Sequence, residues 1–165
     1  MLLYAAFDND KPTLDVSAHV IKDIIEKQLA NMQIRSTITF TNKVGDLLVD
    51  CDSHFITRAL SNNITNAAKY GKDMIHITLT ADKTHCMIIV EDNGEGVKKE
   101  FKSIIFDAFT RGEKSRNKET GGFGLGLAIT SRIMEWHKGS VNVSDSSLGG
   151  AAFTLKWPIK ALLIR

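Results

Sequence analysis

The stretch LSNNITNAAKY at residues 60–70 holds three asparagines within five positions, at 62, 63 and 66. At about 100° per residue, the apolar residues of this region lie on one side of a helix, and Asn62, Asn66 and Lys69 lie on the opposite side. Asparagine is a poor helix former because its amide competes for backbone hydrogen bonds. The polar side therefore suits either an ordinary solvated face or a functional one. The apolar residues are Ile56, Leu60, Ile64 and Ala67.

A second motif, DNGEG at residues 92–96, follows the apolar run at residues 88–90. The pattern is typical of a plain tight turn or of a binding loop. Asp92 at a strand end can accept a hydrogen bond from an amino group, and Gly94 and Gly96 would let a flat ring approach the backbone. An EF-hand calcium loop is excluded, because acidic residues do not recur at alternate positions.

A third motif, GGFGLGLAI at residues 121–129, opens a predicted helix. Glycines before a helix leave unpaired N–H groups and the positive end of the helix dipole directed at one point, which suits a phosphate. A P-loop is excluded because no Gly-Lys-Ser/Thr follows, and the glycine spacing differs from that of a dinucleotide-binding loop. Residues 107–122 before this helix are charged and lack apolar periodicity, which is typical of a mobile functional loop or a disordered insertion.

Apolar periodicity around these motifs predicts an α+β fold, a two-layer sandwich with a mixed, largely antiparallel sheet covered on one face by three helices. Asp15 or Ser17 is predicted to cap the first helix. The predicted helices are the segment containing Ile21 to Met32, residues 53–69 and residues 124–136. The predicted strands are 37–41, 47–49, 75–79, 86–90, 141–143 and 151–157.

Composition excludes several classes of protein. The chain has 165 residues, 43% of them hydrophobic and only two of them proline, which is unlike disordered or collagenous sequences. Cys51 and Cys86 are the only cysteines and form no C-x-x-C pair, so a zinc ribbon is excluded. A net charge of +2 does not provide the strong positive potential that binding to nucleic acid requires. No apolar run reaches the roughly 18 residues of a membrane helix, so we expect no spanning segment.

The motifs in this order resemble the ATP-binding domain of bacterial sensor histidine kinases, whose fold is shared by gyrase, heat-shock chaperones and mismatch-repair ATPases. Residues 60–70 resemble the N box and residues 92–96 the G1 box. IFDAFTR at residues 105–111 resembles the F box, and GFGLGL at residues 122–127 the G2 box. The closing GGAAFTLKWP at residues 149–158 is also similar, so the resemblance covers residues 1–158 and implies the Bergerat ATP-binding fold.

The resemblance implies a role for each matching residue. Asn66 would be the Mg²⁺ ligand, Asp92 would bind the adenine amino group, and residues 107–121 would form a lid. Catalytic positions would be Asn62, Lys69, Arg111 and Arg116, with the basic side chains near the phosphates. The residues expected to bind Mg-ATP are Asn62, Asn66, Lys69, Tyr70, Asp92, Gly94, Gly96, Val97, Ile105, Phe106, Gly122, Gly124, Leu125, Gly126 and Leu127.

The resemblance also implies partners and domain limits. Residues 1–10 would end a preceding dimerisation helix, residues 11–158 would form the catalytic domain, and residues 159–165 a tail. The phosphoacceptor would be a histidine of the dimerisation domain, with a response regulator downstream and no nucleic acid. None of the five histidines of this chain lies in that acceptor context. We expect a cytoplasmic domain of an inner-membrane sensor.

Three rival functions are weighed: a conformational ATPase, a serine kinase of the anti-sigma-factor type and a non-enzymatic nucleotide sensor. Relatives that hydrolyse ATP or phosphorylate serine carry glutamate where this chain has Asn62. Water and serine need a general base to remove a proton, and an amide cannot act as one. Neutral imidazole already offers a nucleophilic lone pair. Asn62 therefore favours histidine as the acceptor.

Overall fold

The computed structural model describes residues 12–106 and 125–161, and the strands and helices below lie within these ranges. The first half of the chain contains β1 (Ser17–Val20), α1 (Ile21–Asn31), β2 (Thr37–Asn42), β3 (Leu48–Cys51) and α2 (Ser53–Tyr70). The second half contains β4 (Met74–Ala81), β5 (His85–Asp92), a 3₁₀ turn (Lys99–Phe101), α3 (Leu125–Trp136), β6 (Ser140–Asp145) and β7 (Ala151–Pro158).

The main sheet has five strands in the order β2-β4-β5-β7-β6. β2 and β4 are parallel, and the other neighbours are antiparallel. Alternate residues of β5 point into the core, as the period of two predicts. Cys86, Ile88 and Val90 are buried in this way, and the next inward position is the carboxylate of Asp92. The sheet and its three helices confirm the predicted fold class.

Helix α2 begins at a strong cap and ends beside the sheet. Its N-cap Asp52 accepts hydrogen bonds from the backbone N–H groups of His54 and Phe55. At its other end, Gly71 N–H donates to the carbonyl of Ala67. The predicted apolar side is confirmed, because these residues are fully buried in the main core: Ile56, Ala59, Leu60, Ile64 and Ala67.

The predicted side-chain cap of the first helix is wrong. Residues Ser17–Val20 form β1 instead, which pairs antiparallel with β3 in a separate two-stranded sheet. α1 begins after Val20 without a side-chain cap. Asp15 lies before β1, where its N–H donates to the carboxylate of Asp52 at 2.8 Å. His19 lies on this strand and not on the helix that a cap at Asp15 or Ser17 would begin.

His137 joins the end of α3 to the start of α2. Its ring is fully buried, and Nε2 accepts a hydrogen bond from the backbone N–H of Asp52 at 3.1 Å. Nδ1 lies 2.9 Å from the carbonyl of Ile133 and must therefore carry the proton. The neutral ring links two helices across 85 positions of sequence.

The described residues after β7 are hydrogen-bonded to the rest of the domain. Ile159 donates to the carbonyl of Thr84 at 2.9 Å and accepts from the N–H of Asp50 at 2.8 Å. Ala161 N–H donates to the Asp50 carboxylate at 2.5 Å. Among the helices that the structure describes, none is long and apolar enough to cross a membrane.

Candidate functional site

Asp92 is a buried carboxylate at the end of β5, with only 4% of its surface exposed. Oδ1 accepts hydrogen bonds from the backbone N–H groups of Gly94 at 2.9 Å and Ala151 at 3.3 Å. No residue in the described ranges donates to Oδ2. Burial raises the pKa of this carboxyl, and the two backbone N–H groups oppose the rise. The carboxylate is thus fixed through one oxygen and presents the other as an acceptor.

Glycines let two loops approach Asp92 closely. A Cβ on Gly150 would lie 2.0 Å from Asp92 Oδ1, and a Cβ on Gly94 would lie 2.1 Å from the carbonyl oxygen of Tyr70. Gly96 has a φ of +78°, a conformation that favours glycine. The sequence predicted that Gly94 leaves room for a ring. The structure shows that it allows the loop to pack on the end of α2.

Asn93 fixes the same loop to the chain that follows α2. Its Oδ1 accepts the backbone N–H groups of Lys72, Asp73 and Met74, each at 3.1 Å. Its Nδ2 donates to the Asp73 carboxylate at 2.7 Å. Sequence reasoning missed this role, although asparagine is known to bond nearby backbone in turns.

Asn62 connects α2 to the first turn of α3. Its Nδ2 donates to the carbonyl of Gly126 at 3.2 Å, and Thr130 Oγ1 donates to the same carbonyl at 3.0 Å. The side chain is partly exposed. An amide at this position can donate to the carbonyl, whereas a carboxylate could not. The predicted asparagine and glycine motifs are therefore in direct contact.

The other polar residues predicted on α2 follow towards its end. Asn66 is partly exposed, and its amide makes no hydrogen bond within residues 12–106 or 125–161. Lys69 is exposed, and its Nζ lies 5.2 Å from the centre of the Tyr70 ring. The stripe of Asn62, Asn66 and Lys69 thus leads from the start of α3 to the loop that holds Asp92.

An apolar cluster, separate from the main core, lies against this loop. Phe106 and Phe153 meet edge to face, with ring centroids 6.1 Å apart. Ile105 and Leu127 are fully buried. The cluster brings together five residues predicted to contact nucleotide, Tyr70, Val97, Ile105, Phe106 and Leu127, with the unpredicted Phe101, Val143, Ala151 and Phe153.

Some predicted residues lie outside the described ranges, namely Arg111, Arg116, Gly122 and Gly124, as does the predicted lid at residues 107–121. Leu125 begins α3. Two contacts of Asp92 itself were also missed, Gly150 and the backbone N–H of Ala151. Their proximity to Asp92 follows from the pairing of β5 with β7, and only a register could have predicted it.

The contact between Asn62 and Gly126 gives a testable expectation. In Asn62→Asp, the donor is lost and a carboxylate faces the carbonyl, so the first turn of α3 should shift. We expect ATP affinity to fall about tenfold and stability by about 1–3 kcal/mol. Calorimetric titration and thermal unfolding would measure both.

Asn142→Asp is the matched control, since the exposed Asn142 amide donates, among the described residues, only to Ser140 Oγ at 3.4 Å. The expectation fails if both variants bind ATP as the wild type does.

Comparisons with known proteins agree with this geometry. The chain is 33% identical over 162 residues to the sensor protein RstB of Escherichia coli K12, covering 96% of this chain and 37% of RstB. It is 39% identical over 101 residues to the sensor histidine kinase CpxA of the same strain, covering 61% of this chain and 22% of CpxA. The chain thus spans little more than a third of the curated relative RstB.

Solved structures share the fold. The catalytic domain of histidine kinase ThkA superposes with a TM-score of 0.77 at 23% identity, covering 88% of this chain and 99% of that domain. Full-length ShkA in complex with AMPPNP gives a TM-score of 0.81 at 25% identity, covering 95% of this chain and 34% of ShkA.

Residues 51–161 match the family described as Histidine kinase-, DNA gyrase B-, and HSP90-like ATPase, and the chain belongs to this family. Within it, the similarity to RstB and CpxA indicates an ATP-binding catalytic domain of the sensor histidine kinase type, and the likeness to ThkA shows the fold. The resemblance inferred from the four motifs is confirmed.

Proposed function

We propose that this domain binds Mg-ATP and transfers the γ-phosphoryl group to a histidine on a separate dimerisation and phosphoacceptor domain, in two-component signal transduction. The observation that carries the proposal is the buried Asp92, which presents Oδ2 beside an apolar cluster and an asparagine-bearing helix. Full-length ShkA, which shares this fold, has been solved in complex with AMPPNP, and this supports a nucleotide as the ligand of the present domain.

The base would bind through charge and shape. A carboxylate oxygen attracts an amino group and repels a carbonyl oxygen, so Asp92 would prefer adenine to guanine. The apolar cluster around Ile105 and Phe106 would cover the faces of the ring. With guanine in the site, the polar groups of the base and of Asp92 would stay unpaired. This costs about 1–3 kcal/mol, which is roughly ten- to hundredfold in affinity.

The triphosphate would lie along the polar stripe of α2. Asn66 fits a Mg²⁺ site, because its amide has no partner among the described residues and a neutral amide oxygen is a hard ligand. Bound Mg²⁺ would neutralise charge on the phosphates. We assign Lys69, Arg111 and Arg116 to the same end of the nucleotide, where cations stabilise charge on the transferring group.

Asn62 supports histidine as the acceptor of the phosphoryl group. Its amide is hydrogen-bonded to Gly126 and cannot remove a proton from water or serine. A neutral imidazole needs no such base. Asn62 therefore supports transfer to histidine over rapid hydrolysis, and it acts by holding the helix that begins at the glycine motif.

The metal assignment has its own test. Asn66→Ala should weaken binding of ATP with Mg²⁺ about tenfold or more, and binding of metal-free ADP by much less, because only the first involves the amide as ligand. Calorimetry with and without Mg²⁺ measures the difference. Thr65→Ala, an exposed neighbour on the same helix, is the control. Equal losses with and without metal would rule out Asn66 as the ligand.

We place this domain within a longer sensor. Residues 11–158 would form the catalytic domain, residues 1–10 the end of a preceding dimerisation helix, and residues 159–165 a tail. The complete protein would be an inner-membrane sensor that passes the phosphoryl group from its histidine to a response regulator. The similarity to RstB along 96% of this chain supports that arrangement.

Transfer in trans tests the proposed function. The chain is mixed with labelled ATP, Mg²⁺ and a separately made acceptor domain. We expect acid-labile label on the acceptor only, at lower efficiency than in a covalent fusion, because tethering raises effective concentration. The chain alone should hydrolyse ATP very slowly.

Replacing the acceptor histidine by glutamine is the control and should abolish labelling. Stable label on the chain itself, or rapid ATP turnover without a partner, would contradict the proposal. Rapid turnover would favour the conformational ATPase.

A further inference from the structure

Ser146 is a buried serine at the start of the turn between β6 and β7, with only 9% of its surface exposed. Its Oγ donates a hydrogen bond to Glu91 Oε1 at 2.9 Å and accepts one from the backbone N–H of Leu148 at 2.9 Å. Its own N–H donates to the carbonyl of Gly150 at 2.8 Å, and its carbonyl accepts the N–H of Gly149 at 3.0 Å. Every polar group of this residue therefore closes the turn or attaches it to β5.

The same turn leads to two groups that touch Asp92. Gly150 N–H donates to the backbone carbonyl of Asp92 at 3.2 Å, and Ala151 N–H donates to Asp92 Oδ1 at 3.3 Å. These distances lie at or just beyond the long end of the usual range for N–H···O hydrogen bonds, so a small shift of the turn would break them. The position of the turn therefore decides how firmly the Asp92 carboxylate is held.

Glu91 and Asp92 are consecutive residues of β5 and point to opposite faces of the sheet. The hydrogen bond from Ser146 thus attaches the turn to β5 on the outer face, one residue before the point where Ala151 meets Asp92. The turn itself has little stiffness, because Gly149 has a φ of +108° and glycine restricts the backbone least. We therefore expect the turn to depend on its attachment to Glu91.

A second contact near the turn is more exposed. Lys102 Nζ lies 2.7 Å from Asp145 Oδ1, immediately before Ser146, but the Asp145 side chain is 81% exposed. Exposed ion pairs contribute little, because water and salt screen them. A hydrogen bond to a buried hydroxyl is electrostatically stronger than one in water. The bond between Ser146 and Glu91 is therefore the side-chain contact that we expect to fix the turn.

We propose that Ser146 is a positioning residue for the base. Through Glu91 it holds the turn that brings the Ala151 N–H to Asp92, and so it keeps Asp92 Oδ2 directed at the amino group of adenine. The inference rests on the proposed function, because it needs the base to bind at Asp92. Without the turn in place, the donor to Oδ1 among the described residues is the Gly94 N–H alone, and the carboxylate can rotate about its broad χ2 torsion.

Two neighbouring serines test this role. Ser146→Ala removes the buried hydroxyl, and Ser147→Ala removes an exposed one as the matched control. Each variant is titrated with ATP and with purine riboside 5′-triphosphate, which lacks the 6-amino group. We expect Ser146→Ala to bind ATP about tenfold more weakly and the analogue with unchanged affinity. Ser147→Ala should bind both as the wild type does. A merely structural role would lower both affinities alike.

The acceptor of the hydrogen bond gives an independent pair of variants. Glu91→Gln keeps an oxygen that can accept from the Ser146 hydroxyl, whereas Glu91→Met has similar length and only a weakly accepting sulfur. Both variants remove the charge. We expect Glu91→Gln to bind ATP about tenfold more tightly than Glu91→Met. Adding Ser146→Ala to Glu91→Met should cause little further loss, because the two side chains act through one hydrogen bond.

Hydrogen exchange at the Ala151 amide measures the position of the turn without nucleotide. This amide should exchange faster in Ser146→Ala than in Ser147→Ala, whereas the amide of Val90 in the middle of β5 should exchange alike in both. The comparison of two amides within one protein separates a local change at the turn from a loss of overall stability.

The inference is overturned by an equal loss for ATP and the analogue in Ser146→Ala, by unchanged ATP affinity in that variant, or by equal ATP affinities of the two Glu91 variants. Failure of the wild-type chain to bind ATP would instead overturn the proposed function.

Discussion

Asp92→Asn is expected to fold and to lose about a hundredfold in ATP affinity, because a donor replaces Oδ2. The new amide keeps an oxygen for the N–H groups of Gly94 and Ala151. A donor facing the adenine amino group leaves both unpaired, at about 1–3 kcal/mol for each. The same amide can donate to the carbonyl oxygen of guanine, so discrimination against GTP should disappear. Competition titration with ATP and GTP measures both effects.

The folding stability of this variant also tests the effect of burying the Asp92 carboxylate. Burial raises the pKa of Asp92 in the folded state, so the folded protein binds the proton more tightly than the unfolded chain. The stability that Asp92 contributes therefore falls as pH rises through the raised pKa. The amide that replaces the carboxyl does not ionise, and at neutral pH the nucleotide-free variant should be at least as stable as the wild type.

Asp46→Asn is the control, since Asp46 is exposed and paired with Lys22 at the surface. Unchanged ATP affinity in Asp92→Asn would show that the base binds elsewhere.

Gly94→Ala should damage both the fold and the site. The new Cβ would lie 2.1 Å from the carbonyl oxygen of Tyr70 and 2.9 Å from Gly71 Cα, and both are backbone atoms of the end of α2. Such overpacking costs about 1–3 kcal/mol, or about 2–12 °C in melting temperature for a chain of this size. Gly94 N–H also holds Asp92, so ATP affinity should fall more than about tenfold.

Gly126→Ala is the matched comparison from the other glycine motif. Its Cβ would lie 3.6 Å from the nearest atom, Asn62 Cγ, which is an ordinary contact. Alanine is also the better helix former, so melting should be unchanged or higher. If the two alanine variants melt alike, the close approach at Gly94 does not limit stability.

Periodicity was sufficient for the long elements of the fold. α2 and the hairpin of β4 and β5 bury residues at regular spacing over eight to eighteen positions, and the sequence predicts them well. β1 has four residues, Ser-Ala-His-Val, and two of its side chains are exposed. Its strand conformation depends on pairing with β3, some thirty residues later, and polar residues at 15 and 17 favoured a helix cap instead.

The residues of the candidate site likewise fall into two groups, those that local sequence predicts and those that only the tertiary structure reveals. Asp92, Asn62 and five residues of the apolar cluster could be predicted, because each lies in or beside a local motif of distinctive residue types. Gly150 and Ala151 could not, because they reach Asp92 through strand pairing.

The contacts at His137 and Asn62 have a mechanical consequence for α2 and α3. Asn62 joins α2 to the first turn of α3, and His137 joins the end of α3 back to the start of α2. Because α3 is hydrogen-bonded near both of its ends to the start and the middle of α2, the two helices cannot slide past each other without breaking one of these hydrogen bonds. We therefore expect α2 and α3 to move together as one rigid unit. A displacement of the first turn of α3 on triphosphate binding should then also move the other end of the helix pair, at Asp52.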